Sequence, residues 1–418
     1  MMLFKDYSKK SLWNLSIIGL YIILIYLPDI TRYKNIVMGL IGATALWYLV
    51  RDFKAICKIF KNNLSFSLLF LLLVIGYSIV ISVEPSISIK EINKPIFNGL
   101  LLFAITFPIV LYKEKPTDIA KMVMVAFAIG LLVIMAKELV QYYLEYPKVT
   151  PFSWWSQKYH REGSYGLLFF FPIILSYWAL TKYYSLTNLV LLILISIVFI
   201  LLIIGTLSRG VWFTLIIIYF FVTIINQQWR IIITGLISCL FLFSIAILVL
   251  PSQPINKMLL NKFTQINSGK RFEGGTQGSA LDLILEQPIK GYGYGNQLYH
   301  NVYNERVKDH KNWIFKKSIG PHNVFLAFWF AGGILGLFGI LYFCSSIIAQ
   351  GIQLIRKNQG VIRQASLILL MSFLGVYVLR GLFENAYINQ VGILVGLMLA
   401  LRHSLLNYQS VTSSDKQQ

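Results

Sequence analysis

The chain has 418 residues, 57% of them hydrophobic and only 13% charged. A soluble domain of this length has no core large enough to hide so much apolar side chain, which excludes an ordinary water-soluble enzyme and makes lipid part of the solvent. The net charge of +20 points to anionic lipid or an anionic substrate, and no nucleic-acid partner is expected, because no soluble region is large enough to carry a known binding motif.

The start, MMLFKDYSKK, is basic, but the apolar run after it is long and lacks a small-residue cleavage site, so it is expected to remain as a first span. About twelve runs have the length and apolarity to cross a bilayer. They fall at 12–30, 36–50, 64–83, 96–112, 119–143, 165–181, 187–206, 210–226, 231–250, 323–349, 362–380 and 385–402. Backbone groups in lipid must pair internally, and these runs lack the alternation of barrel strands. The expected fold class is an all-α integral membrane protein, with residues 1–418 forming a single polytopic domain.

Lys5, Lys9 and Lys10 precede the first span, and Arg51, Lys54, Lys58 and Lys61 fill the connection RDFKAICKIFKNN. With twelve spans these share one side with Lys113, Lys115, Lys182, Arg230, Arg356, Lys357, Arg363 and Arg402. The positive-inside rule makes that side the cytoplasm, with both termini inside and residues 403–418 as a tail, disordered over VTSSDKQQ. The opposite face receives the loop LEYPKVTPFSWWSQKYHREGS (144–164) and a long polar stretch, 251–321, with ten Lys or Arg against five Asp or Glu. Long loops do not orient the chain, so this basic excess calls for a partner on the outer face. Cys57, Cys239 and Cys344 lie in or beside apolar runs, with neither metal nor disulfide spacing.

Arg209, in GTLSRGVWF, stands where one apolar run ends and the next begins. An arginine there snorkels to the interface, pairs, or faces a polar cavity; Ser208 and Gly210 beside it let the backbone approach something closely. Arg271 lies among glycine turns in NSGKRFEGGTQGSALDLILEQPIKGYGYGN, whose middle, SALDLILEQ, reads as a short amphipathic helix ending before Pro288. GYGYGN lacks P-loop spacing and offers instead a tight loop carrying Tyr292 and Tyr294, suited to sugar contact.

His322 and Asn323 open the long apolar helix in GPHNVFLAFWFAGGILGLFGIL. This histidine is either a structural helix-start residue or a base able to take a proton from a hydroxyl. Gly332–Gly333 suggests a break in that helix, and irregular backbone at membrane depth usually lines a cavity. His160 and Arg161, just after Trp154, Trp155 and Tyr159, are a second basic point on the outer face or part of an interfacial aromatic belt. Arg380 contacts substrate or forms an ion pair with Glu384 that locks two helices. The histidines show no metal-ligand spacing, so no metal is expected. Guanidinium forks match phosphate oxygens and a histidine can activate a hydroxyl, which are the needs of a glycosyl pyrophosphate meeting an acceptor.

The stretches LPDITRYKNIV, IGTLSRGVW, GTQGSA, QPIKGYGYGN and SIGPHN, in order along nearly the whole chain, resemble the enterobacterial members of the bacterial O-antigen ligases, a group that also includes O-antigen polymerases. The resemblance implies an inverting, metal-independent glycosyltransferase of the membrane-embedded GT-C-like type, working without a cofactor. It would move O-antigen from undecaprenyl pyrophosphate to a terminal sugar of lipid A–core, in the bacterial inner membrane, with its site on the periplasmic face and 251–321 as a periplasmic cap. By the same likeness His322 is the base, Arg209 and Arg271 hold the pyrophosphate, and His160, Arg161, Tyr292, Tyr294, Asn323 and Arg380 are substrate-binding positions. Membrane lipids surround it, and contact with an O-antigen polymerase or chain-length regulator is a further partner reading. Two rivals stand beside the ligase: a polymerase using the same donor, and a lipid-linked glycan flippase without chemistry, although the internal repeats common in transporters are not found.

Overall fold

A computed structural model of the chain describes residues 7–145, 163–180, 186–206, 208–229 and 269–414, and its regular structure there is entirely helical. The helices are α1 (Lys9–Leu24), α2 (Thr31–Ile59), α3 (Asn63–Val80), α4 (Pro85–Ile92), α5 (Leu102–Val110) and α6 (Pro116–Glu145). After these come α7 (Gly163–Phe170), α8 (Pro172–Leu180), α9 (Leu186–Gly205) and α10 (Arg209–Ile225). The remainder are α11 (Gly269–Phe272), α12 (Thr276–Glu286), α13 (Asn296–Arg306), α14 (Val324–Lys357), α15 (Gly360–Phe373) and α16 (Asn389–Ser414). Among the described residues 8 helices are long and apolar enough to cross a membrane, and Thr187–Ile203 and Arg209–Ile225 are shorter apolar helices. The expected span 231–250 lies outside the described residues, as do His160 and Arg161 and the first part of the 251–321 stretch, so a total of twelve stands as an expectation.

The chain divides into two compact units, Met1–Ala126 with Gly269–Gln418, and Phe127–Ser268. In the first unit α14 lies along α3 and α16 along α5. Small residues allow this. A Cβ on Gly392 or Gly396 would collide with the Leu100 or Phe103 carbonyl oxygen of the facing helix, the close backbone approach that a small-xxx-small stripe permits in lipid. In the second unit aromatic rings fill the same role: Phe127 stacks on Phe169 at 5.0 Å, and Phe171 on Phe199 at 5.2 Å.

Two boundaries differ from expectation. The basic stretch after Arg51 is not a loop: α2 runs on to Ile59, kinked at Asp52 (φ −126°, ψ 35°), with Ile56 and Ile59 buried. Its lysines flank an apolar face, and Asp52 is held by the Tyr112 hydroxyl and by Lys113 at 3.1 Å. At the other terminus α16 continues through the expected tail to Ser414; His403 and Ser404 are buried, and the Ser404 hydroxyl donates to the Glu114 carbonyl at 2.5 Å. Asn14, Ser11 and Tyr7 bond to Glu114 and Asp118 at that same end of the unit.

At the far end of this unit, α12 and α13 build a small cap with its own core. Leu283, Ile284, Leu298, Tyr299, Val302 and Trp313 pack together there. Trp313 stacks on Tyr303 at 4.7 Å and donates its indole N–H to Asp282 at 2.8 Å. The helix expected in SALDLILEQ is α12, and it does end before Pro288.

Candidate active site

Helix α15 does not end cleanly. It passes into a π-helical stretch, Leu374–Leu379, then a 3-10 turn, Arg380–Leu382. A helix end leaves carbonyls without intrahelical donors, and here the Leu382 and Phe383 carbonyls collect the candidate site residues. The Arg271 guanidinium, at the end of α11, donates to Phe383 O at 2.8 Å and lies 6.0 Å above the Phe383 ring. Gln277, in the first turn of α12, donates its amide to Leu382 O at 2.8 Å and to His322 O at 3.3 Å. Asn323 reaches Leu382 O at 3.5 Å. Arg271, Gln277 and Asn323 therefore converge on one short segment, and Gln277 ties the His322 backbone to it.

His322 is itself held unusually. Its φ is +47°, in the left-handed region that side chains other than glycine seldom occupy. Asn323 explains the strain: its side-chain oxygen caps α14 by accepting from the N–H groups of Phe325 at 2.9 Å and Leu326 at 3.2 Å. Gly320 (φ +89°) and Pro321 turn the chain just before it. The His322 side chain is half-buried.

Arg380 is fully buried (0% exposed), and its Nη2 and Nε both donate to Glu384, at 2.8 and 3.2 Å. The expected ion pair exists, but it does not lock two helices. Its partners are four residues apart, so it ties off the irregular end of α15 beside the Leu382 and Phe383 carbonyls.

The break at Gly332–Gly333 is present (φ/ψ −127°/20° and 59°/−147°), and the glycine-rich loop occupies it. Tyr292 N–H and Gly293 N–H donate to the Phe330 and Ala331 carbonyls at 2.8 and 2.9 Å, supplying partners that the broken helix cannot. Trp329 donates to Pro288 O at 3.0 Å. A Cβ on Gly333 would collide with Ile289 O and one on Gly291 with Gly333 N, so both must be glycine. Tyr292 is buried within this joint, stacked on Phe330 at 4.9 Å with its hydroxyl on Glu286 at 2.9 Å.

Tyr294 instead lines a cavity of about 320 Å³ together with Pro321, Val324, Tyr377 and Asn385. Burial, and secondarily the Glu91 carboxylate, push its hydroxyl well above the usual tyrosine range, which keeps it a neutral donor. Across the cavity Glu91 accepts the Gln297 N–H at 3.1 Å, placing a carboxylate at the positive end of α13. His300, in α13, is pulled below the usual histidine range by burial, the nearby Glu91 opposing. Among the described residues no three His, Cys, Asp or Glu side chains gather as a metal site would need.

Arg209 belongs to the second unit. It is exposed in the first turn of α10, after a turn in which Thr206 Oγ1 donates to Ile203 O at 2.7 Å and the Trp212 indole N–H to the same oxygen at 2.9 Å. A cation at a helix N-terminus opposes the macrodipole, so this end of α10 is doubly positive. Of the residues around the site, Gln277, Glu91, Tyr299 and Tyr377 were not singled out from sequence. Gln277 lies within the GTQGSA string, but nothing in the string distinguishes it from a solvated glutamine. Glu91 lies at the end of α4, just before a π-helical stretch, and Tyr377 lies within one; neither irregularity leaves a mark in the residue spacing.

The O-antigen ligase family model matches residues 190–344, which include Arg209, Arg271, the glycine-rich loop and His322. An O-antigen ligase of Salmonella typhimurium (strain LT2) is 38% identical over 396 residues, covering 94% of this chain and 96% of that protein. The chain belongs to the O-antigen ligase family. It is a multi-pass membrane enzyme, a ligase of the glycosyltransferase type, and the family implies a polysaccharide donor and a lipid A–core acceptor in lipopolysaccharide biosynthesis. The likeness over nearly the full length is to a ligase, so the polymerase and flippase readings are not favoured.

Proposed function

We propose that the enzyme transfers O-antigen polysaccharide from undecaprenyl pyrophosphate to a terminal sugar of lipid A–core, by a single inverting displacement without a metal. The observation that carries this reading is the convergence of Arg271, Gln277 and Asn323 on the Leu382–Phe383 carbonyls, with the His322 backbone joined to them through the Gln277 amide. His322 takes the proton from the acceptor hydroxyl as that oxygen attacks the anomeric carbon and the bond to the pyrophosphate breaks. Arg271, oriented by its bond to Phe383 O, and Arg209, at the positive end of α10, hold the departing diphosphate. Asn323 fixes the backbone of the base, Tyr292 holds the glycine-rich loop in the helix break, and Tyr294 meets sugar. Arg380 keeps the receiving segment in shape through Glu384. His160 and Arg161 are proposed to approach the donor from the 144–164 loop.

The site faces the periplasm of the bacterial inner membrane, with 251–321 as its cap and the end bearing Lys113 and Glu114 in the cytoplasm, together with both termini. A polymerase or chain-length regulator in contact with this face would deliver finished donor. The test is transfer in vitro, from defined lipid-linked glycan to purified core acceptor. His322→Ala and Arg209→Ala are each expected to cost about 10²–10⁴-fold in rate with normal amounts of folded protein. Wild-type rates in either variant would remove that residue from the mechanism.

A further inference from the structure

The cavity beside the His322 backbone is chemically unlike the arginine cluster. Its wall carries the tyrosines Tyr294, Tyr299 and Tyr377, the amides Asn296 and Asn385 and the carboxylate of Glu91, and neither lysine nor arginine lines it. A diphosphate would be repelled there. Aromatic faces for C–H surfaces, with amide and hydroxyl groups for a ring of hydroxyls, are the means of binding an uncharged sugar. At about 320 Å³ it is at the small end of ligand sites, which span roughly 300–1,000 Å³. Three irregular backbones meet at this wall: the π-helical Asn93–Leu101 through Pro95, the π-helical Leu374–Leu379 through Tyr377, and α14 just before its break through Phe330. Departures of this kind recur at functional sites.

We propose that this cavity is the subsite for the acceptor's terminal sugar, an uncharged pyranose whose reacting hydroxyl is presented to His322. Pro321 and Val324, which flank His322 and Asn323, form part of its wall, so a ring seated there lies beside the chain segment that carries the base. The inference rests on the ligase reading and adds the place where the acceptor binds.

Tyr294→Phe in the full-length purified enzyme tests it, with a core oligosaccharide ending in a neutral hexose as acceptor. Losing one ligand hydrogen bond is expected to raise acceptor KM by about 3- to 10-fold, with kcat and donor KM unchanged. Thermal stability should stay close to that of the wild type; a purely structural role predicts a lower melting temperature and no KM change. Ala327→Leu, which fills the cavity from the first turn of α14, should raise acceptor KM further. Unchanged acceptor KM in both variants, as a lipid-filled cavity would give, overturns the proposal and leaves the ligase reading standing. A rise confined to donor KM overturns it too, by assigning the cavity to the donor glycan. No transfer by the wild-type enzyme, or wild-type rates in His322→Ala, would instead strike the ligase reading on which it depends.

Discussion

At the scale of single residues, the site is organised by unsatisfied backbone. The irregular end of α15 leaves the Leu382 and Phe383 carbonyls in need of donors, and Arg271, Gln277 and Asn323 supply them. A functional side chain that also satisfies a buried carbonyl is held in place before substrate arrives. The cap contains a second case. His300 Nε2 pairs with the Asn296 amide at 3.1 Å and Nδ1 with Ser318 Oγ at 2.7 Å, a pattern that requires the neutral ring with its proton on Nδ1. Burial, outweighing Glu91, lowers its pKa in the folded state, so folding favours the neutral form. The stability this contributes is present above the unfolded value, about 6.5, and is lost as pH falls through the lower folded value. Thermal unfolding between pH 7.5 and 5 should show midpoints falling on the acid side, and His300→Gln should flatten that slope. A slope unchanged in the variant would assign the acid sensitivity to another group.

At the scale of elements, the long helix α14 and the glycine-rich loop form one joint. Neither is stable alone: the helix break leaves the Phe330 and Ala331 carbonyls open, and the loop brings the N–H groups of Tyr292 and Gly293 to close them. The joint requires Gly333 in a conformation nearly confined to glycine. Gly333→Ala should therefore cost at least about 1–3 kcal/mol of stability, read as a lower melting temperature in detergent with loss of transfer. Gly39→Ala is the control. A Cβ there meets nothing within 4 Å, so stability should hold or rise slightly. Equal effects of the two substitutions would show that the joint contributes nothing particular.

At the scale of the molecule, the first unit has two chemically distinct ends. One gathers Asp52, Lys113, Glu114, Asp118 and Ser404 into a polar network. The other carries the cap and the candidate site. If the first faces the cytoplasm, a cysteine at Lys115 should react with an impermeant maleimide only after cells are broken. A cysteine at Lys317 should react once the periplasm alone is opened. Both would be made in a background lacking Cys57, Cys239 and Cys344. The reverse pattern would invert the proposed topology and move the chemistry to the wrong side for a periplasmic reaction.

Much of this was legible in one dimension because lipid imposes a simple rule: an apolar run of sufficient length must be a helix with its backbone paired internally. Helix positions, the break at Gly332–Gly333 and the short helix before Pro288 follow from composition and local turn chemistry. Arg209 and His322 could be singled out because charged or titratable groups beside apolar runs are costly and stand out, whereas Arg271, in a polar stretch, drew its role from the family resemblance. Three things waited for the tertiary structure. The lysine-rich segment after Arg51 is helix rather than loop, since its kink depends on Tyr112 and Lys113, some sixty residues away. Arg380 pairs with Glu384 within its own segment. The glycine-rich loop is bonded into a helix break, and Glu91 and Tyr377 line a cavity with it. Local sequence records which groups need partners, but the partners come from distant parts of the chain, and only packing decides which of them arrive.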